Sequence, residues 1–311
     1  MYGLAADASN ESAVAKIFAA KGRPSNHPLI VHVADARGVA HFASQVPEFA
    51  ARLIAAFWPG PLTLILPRRD GVAAAAAGGQ NSVGLRCPSH PVAQALLKAL
   101  NITSPPVHGL AAPSANQFGR VSPTTAAHVR GEFGSDLLVL DGGPCDVGIE
   151  STIVDCTRGL PVLLRPGVLT RAQLHAACGQ AVLLKEELPE HVAEGPRASG
   201  TLESHYAPTA KVRLMDANAL QTALDMLGSD MDTRGGTQPV IATYSRGILR
   251  CASSRVIRRR MPDDAAATAQ QLFAVLREFD AQSVKLIWIE TLPEDAEWDG
   301  VRDRLARASA A

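Results

Sequence analysis

A lysine and an arginine flank a single glycine in Lys21-Gly22-Arg23-Pro24, just ahead of the apolar run Pro28-Leu29-Ile30-Val31-His32. A mobile ammonium and a rigid guanidinium fork on one turn can grip a single polyanion such as a nucleotide phosphate. The plainer reading of the same pair is a solvated basic turn. A second polar set follows a rigid proline, in Pro113-Ser114-Ala115-Asn116 and then Gly119-Arg120-Val121-Ser122. These side chains can contact a ligand, or cap a helix and close a turn. In Asp141-Gly142-Gly143-Pro144 through Gly148-Ile149-Glu150-Ser151-Thr152, glycines expose backbone N–H groups beside the Ser151 hydroxyl, which makes an anion-binding nest or a plain turn. Arg86 and Arg165 each end an apolar strand-like run, and a guanidinium buried there needs a carboxylate or phosphate. Together these groups place cations, hydroxyls and amides at strand ends of one domain, and that convergence favours a nucleotide site.

The elements that must position these groups alternate between strand-like and helical patterns. Strands are predicted at Leu29 to Val33, Leu62 to Pro67, Val83 to Arg86, Leu137 to Leu140 and Ser151 to Asp155. Helices are predicted at Val46 to Phe57, Pro91 to Leu100 and near Thr124 to Gly131, and the alanine cluster Ala73 to Ala77 reads as a helix start. Between Glu186 and Ala210 the composition shifts to a Pro/Gly/Ser-containing linker ending in Ser204-His205-Tyr206-Ala207-Pro208. Beyond it, strands at Val212 to Met215, Val240 to Tyr244 and Leu286 to Glu290 alternate with helices at Ala217 to Leu227 and Ala265 to Phe279, the rhythm of a small doubly wound α/β domain. The fold class is therefore α/β: a twisted open mixed sheet with helices, plus a smaller Rossmann-like C-terminal domain. The expected division is 1–185, linker 186–210 and 211–311.

A chain of 311 residues that is 47% hydrophobic can fill two cores. Its 30 basic and 30 acidic residues balance, so an anion site must be a local cluster and no global charge draws the chain to nucleic acid or membrane. Five scattered cysteines without a CxxC pair fit reduced thiols rather than a disulfide scaffold or zinc site. No apolar run approaches the ~20 residues of a spanning helix. The chain also begins without a secretory signal, so a cytoplasmic address with no membrane partner is expected. His27 and His32 lie five apart on a turn and strand, which is no metal-binding helix face, and no protein metal site is expected.

Several motifs together resemble the Sua5/YrdC/YciO family: Tyr2 to Ala8, the Lys21 to His32 block, Trp58-Pro59-Gly60-Pro61-Leu62-Thr63, Pro113 to Asn116, and Glu150-Ser151-Thr152-Ile153 with Arg165-Pro166-Gly167. His205-Tyr206-Ala207-Pro208 and the following domain resemble its two-domain Sua5 branch. The resemblance implies an L-threonylcarbamoyladenylate synthase, a nucleotidyltransferase that joins L-threonine, bicarbonate and ATP into threonylcarbamoyl-AMP and pyrophosphate. That product would pass to the tRNA threonylcarbamoyl transferase machinery for modification of adenosine 37. By the same resemblance Lys21 and Arg23 are catalytic and bind ATP phosphates, with His27, Ser114, Asn116, Ser122 and Arg165 also on the nucleotide. Tyr206 would fold over it as a lid, or simply pack the linker. His32, Arg86, the Ala112 backbone and Ser151 would surround threonine, although His32 on an apolar strand also reads as a core histidine. Mg2+ would arrive with ATP and keep ligands from phosphate and water.

Relatives in this family enter the domain through a strand, a helix and a Pro-Thr-Glu-Thr segment before Val-Tyr-Gly-Leu, whereas here Met1 precedes Tyr2. The resemblance thus implies a first strand and helix missing from this chain, through a late start codon or a truncated form of impaired activity. Two rival classes stand beside the synthase. One is a double-stranded-RNA-binding YrdC-like protein, against which the balanced charge argues, leaving weak RNA binding. The other is a carbamoyl-transfer maturation factor, disfavoured by the lack of zinc-finger cysteines.

Overall fold

In the computed structural model, which describes residues 1–189, 194–233 and 239–310, short capped helices and apolar strands gather into two units. The first comprises Met1–Phe118, Pro123–Cys145 and Glu150–Thr201; the second comprises Gly119–Ser122, Asp146–Ile149 and Leu202–Ala311. The linker segment expected at 186–210 is thus shared: residues up to Thr201 belong to the first unit, those from Leu202 to the second, and 190–193 lie outside the described residues.

The first unit runs β1 (Ala6–Asp7), α1 (Glu11–Lys21), β2 (Ile30–His32), α2 (Val39–Phe42), α3 (Glu48–Phe57), β3 (Leu62–Pro67), β4 (Ser82–Arg86), α4 (Pro91–Asn101), β5 (Leu110–Ala111), α5 (Ala126–Phe133), β6 (Thr152–Asp155), β7 (Val162–Arg165), α6 (Arg171–Cys178) and β8 (Leu183–Leu184). Among the described residues these strands form one eight-stranded mixed sheet in the order β1-β5-β2-β4-β3-β6-β7-β8. β2 and β4 are parallel, β4 and β3 antiparallel, β3 and β6 parallel, so the central strands bring residues from distant parts of the chain into register. Val31, Leu64, Leu85 and Val154 are fully buried along these strands, which explains why β3 reads as an apolar run interrupted at Thr63.

α1 sets the position of the first cations. The Asn10 side chain accepts the Ala13 N–H at 3.0 Å and opens the helix. Gly22 closes it at φ 60°, in the left-handed region, donating its N–H to Ala19 and Phe18 carbonyls. A side chain at that φ would be strained, and the reversal it permits is what lets Lys21 and Arg23 act on opposite sides of one turn.

The second unit holds β9 (Lys211–Met215), α7 (Ala217–Thr233), β10 (Ile241–Ser245), β11 (Val256–Arg260), α8 (Ala265–Ala281), β12 (Leu286–Glu290) and α9 (Asp299–Ser309). Among the described residues its four strands are all parallel in the order β11-β10-β12-β9, the Rossmann-like arrangement expected, with β11 added to the three strands that the alternating pattern predicts.

Two predicted elements are corrected. Leu137 to Leu140 is no strand: among the described residues it pairs with nothing in the sheet, and although Leu137 and Val139 pack against the core, Leu138 and Leu140 are 87% and 51% exposed. Ala73 to Ala77 starts no helix but folds into successive turns, with Ala77 N–H on Ala73 O and Gly78 N–H on Ala75 O. Five alanines cannot offset the cost of helix nucleation when Gly78 and Gly79 follow at once.

Candidate functional site

The end of α1 delivers Lys21 to the Pro113–Asn116 turn. Its Nζ donates to the Ser114 carbonyl at 2.5 Å and to the Asn116 carbonyl, and the side chain is 2% exposed. Burial, and next the Arg23 guanidinium, pull this ammonium down to about 7, with Glu132 opposing. The expected phosphate ligand is thus also the clamp that holds the Ser-x-Asn turn. The turn is further tied by the Ser114 pairing with Gly3 and by Asn116 Nδ2 donating to Gln117 O at 2.7 Å.

On the far side of Gly22, Arg23 donates from Nη2 to Pro28 O at 2.9 Å and to Ser199 Oγ at 3.2 Å, and its guanidinium lies 5.5 Å from the Phe118 ring centre. His27 meets the same ring edge-on at 5.4 Å. Burial, then the charges of Arg23 and Arg197, lower the His27 imidazole and keep it neutral at pH 7.

Ser199 joins this group to Arg165. Its Oγ donates to Pro28 O at 2.7 Å, and its carbonyl accepts Arg165 Nη1 at 2.9 Å. Arg165, 2% exposed at the end of β7, also donates from Nε and Nη2 to Ser151 O at 3.1 and 2.8 Å, and from Nη2 to Ser151 Oγ at 3.2 Å. The sharp exit after Arg165-Pro166 needs Gly167, because a Cβ there would stand 2.6 Å from both Thr152 N and Oγ1.

The expected threonine side of the site is built from register. β2 sets His32 opposite Arg86 of β4, and β3 sets Thr63 on the other flank of Arg86. Thr63 Oγ1 lies 2.7 Å from Ser151 Oγ, both fully buried. Arg86 donates Nε to Gly60 O at 3.0 Å; burial, then the Arg165 charge, pull it down to about 10. Loss of surrounding water, then Arg86, pull His32 down to about 3, and its buried Nδ1 has no hydrogen-bond partner among the described residues. A neutral imidazole with an open nitrogen beside a guanidinium can meet a ligand's polar group. Ala112 follows β5, with its N–H on Ile30 O at 3.0 Å.

Ten of the twelve expected residues, namely Lys21, Arg23, His27, His32, Arg86, Ala112, Ser114, Asn116, Ser151 and Arg165, therefore lie in the first unit. Ser122 and Tyr206 belong to the second. There the Ser122 carbonyl accepts Arg277 Nε at 3.3 Å. Tyr206, 1% exposed at φ 61°, packs against Phe273 at 5.4 Å and under the Arg304 guanidinium at 5.3 Å.

Sequence reasoning missed Thr63 and Ser199. Thr63 stands in the Trp58 to Thr63 motif and in a predicted strand with no role of its own, and Ser199 reads as linker. Their partners lie 88 and 176 residues away, beyond any local pattern.

Arg23 makes Lys21 harder to charge, and Arg165 does the same to Arg86. Like charges lie against one another at the end of α1 and at the ends of β4 and β7, in a mixed-sheet α/β domain. The Sua5/YciO/YrdC family model, described as telomere recombination, matches residues 1–167, and the threonylcarbamoyl-AMP synthase C-terminal domain matches residues 169–310. The chain belongs to this family, in its two-domain form. It is 35% identical over 319 residues to the threonylcarbamoyl-AMP synthase of Bacillus subtilis (strain 168), spanning 99% of this chain and 87% of that protein. It is likewise 35% identical over 312 residues to the enzyme of the same name from Pyrococcus abyssi (strain GE5 / Orsay), spanning 99% and 88%. The solved structure of P. abyssi Sua5 complexed with L-threonine matches at a TM-score of 0.84 and 32% identity, over 99% of this chain and 87% of that one. These matches give no support to the expected N-terminal truncation.

Proposed function

We propose that this chain is an L-threonylcarbamoyladenylate synthase, forming threonylcarbamoyl-AMP and pyrophosphate from L-threonine, bicarbonate and ATP. The observation that carries the reading is the mutual crowding of Lys21 with Arg23 and of Arg86 with Arg165 in a unit of this family. In this reading the threonine amine takes up bicarbonate as a carbamate, with loss of water. A carbamate oxygen then attacks the α-phosphorus of ATP, and pyrophosphate leaves, which makes the reaction a nucleotidyl transfer. No protein nucleophile takes part, so the site acts by holding anions in line and neutralising charge.

Lys21, Arg23 and Arg165 would face the phosphates, with His27, Ser114 and Asn116 fixing the nucleotide. Arg86 would receive the threonine carboxylate, with His32, Ser151 and the Ala112 backbone around it. An Mg2+ would enter with ATP and be held by phosphate and water. Among the described residues no helix is long and apolar enough to cross a membrane. A cytoplasmic enzyme supplying the tRNA threonylcarbamoyl transfer step is the setting this reading implies.

The test is threonine-dependent pyrophosphate release with ATP, bicarbonate and Mg2+. The reading expects release that disappears without threonine, and it expects Arg23→Ala to slow turnover. Pyrophosphate release indifferent to threonine would remove the synthase reading.

A further inference from the structure

The second unit carries a concentration of positive charge that the synthase reaction does not use. Residues 246–260 contain six arginines, Arg246, Arg250, Arg255, Arg258, Arg259 and Arg260, and no acidic residue, in a chain whose total charge is zero. This stretch is the loop after β10 and the whole of β11, an edge strand of the parallel sheet. Arg250, Arg258, Arg259 and Arg260 are exposed.

Pairing divides them between two faces. Val256 stands opposite Ile241, which packs in the apolar cluster with Leu220 and Leu224 of α7, and strand alternation puts Arg258 and Arg260 on that same face. Arg258 reaches back to Leu249 O at 3.3 Å, and the Arg250 N–H is fixed by Gln221 of α7 at 2.9 Å, so Arg250 joins this face. Arg259 points the other way, to Glu278 of α8 at 3.4 Å. Arg260 meets Asp263 at 3.3 Å, an exposed pair of a kind that exchanges readily for a stronger anion.

We propose that this edge, with Arg250, Arg258 and Arg260 at its centre, docks the phosphate backbone of a folded RNA. All six cations are arginine, whose fork suits phosphate oxygens, and the backbones of Arg258 and Arg260 stand about 6.7 Å apart along the strand, a spacing from which two long side chains can reach successive phosphates. A membrane surface fits less well: the loop exposes Ile248 but offers no amphipathic helix to insert. The surface is distinct from the cation cluster of the first unit and does not depend on what that cluster catalyses.

The experiment uses the full chain and a labelled, unmodified tRNA transcript as the probe, titrated between about 50 and 200 mM salt. Arg250→Gln/Arg258→Gln/Arg260→Gln should weaken binding at low salt on the order of tenfold or more. It should also flatten the log affinity against log salt slope by roughly 2 to 3, since each lost phosphate contact removes about 0.7 to 0.9. Threonine-dependent pyrophosphate release should stay at the parent level. An unchanged slope overturns the proposal, as does failure of the parent chain to bind at the lowest salt. Equal affinity for polyglutamate or for phosphatidylserine vesicles would assign the edge to an acidic protein or a membrane instead. Unchanged RNA binding with new self-association of the variant would make the arginines guards against edge-to-edge pairing.

Discussion

Arg246 in the second unit and Lys21 and Arg86 in the first meet their neighbours in opposite ways. In the second unit, Arg246 donates to Glu290 Oε1 at 2.6 Å, and the other carboxylate oxygen accepts Ser245 Oγ at 2.7 Å and the N–H groups of Arg246 and Gly247 at 2.8 and 3.2 Å. Burial raises the Glu290 carboxyl, but these bonds and the Arg246 charge outweigh it and hold the group below its ordinary range. The charge there is answered from within. In the first unit, Lys21 and Arg86 are both pushed toward neutrality, each by burial and then by a neighbouring cation. Breaking an arginine–carboxylate pair is costly to a fold, whereas in the proposed reading the neighbouring cations of the first unit would receive an anion from outside.

The sharpest way to break this contrast is to remove one cation from each side. Arg86→Ala should lower threonine-dependent pyrophosphate release on the order of 10²-fold while thermal unfolding stays near the parent, since among the described residues its side chain donates one hydrogen bond, to Gly60 O. Arg246→Ala should do the opposite, costing about 2 kcal/mol of stability in a denaturant titration with release per folded molecule unchanged. If both variants lost activity and stability together, the contrast would be void.

Protonation sharpens it further. The folded value of Lys21, about 7, lies below its ordinary 10.5, so the unfolded chain holds more protons between those limits, and this group's contribution to stability rises with pH across that window. A bound triphosphate favours the charged ammonium, so ATP binding should take up a proton. Affinity should then fall above pH 7, at most about tenfold per pH unit. Calorimetry in buffers of different ionisation enthalpy measures the uptake, and a pH-independent affinity between 7 and 9 would separate Lys21 from the phosphates. A neutral amine still has two protons for the Ser114 and Asn116 carbonyls, so the turn survives either state.

The smallest effect is expected at Thr63. Thr63→Val keeps the shape and removes the hydroxyl that meets Ser151 Oγ, which should raise the KM for threonine several-fold with kcat little changed, a loss on the order of 1 kcal/mol. A fall in kcat at constant KM would place Thr63 in the chemical step instead.

Much of the fold was legible where burial repeats along the chain. β3 and β12 match their predicted spans residue for residue, because each is buried over almost its whole length. β1, β5 and β8 have two residues apiece and carry no period to read. Leu137 to Leu140 shows the converse, an apolar run whose Leu137 and Val139 touch the core without pairing in the sheet among the described residues. Within the site, the cations and their turns were legible because Gly22, Pro113 and Gly167 mark local geometry. Thr63 and Ser199 were not, because a hydroxyl in a strand or linker looks the same whatever it meets.

The amino-acid sequence by itself determined the caps, the buried strands, the local cations and the family, all of which depend on neighbours within a turn or two or on motifs read in order. Only the tertiary structure decided which cations meet a carboxylate and which meet each other. That choice depends on distance through space: Lys21 reaches carbonyls 93 and 95 residues away and Arg23 a hydroxyl 176 away, while Arg246 finds its carboxylate across two neighbouring strands. Charge interaction falls off with separation and strengthens as water is excluded, so a guanidinium lies against another cation in one unit and closes on a carboxylate in the other.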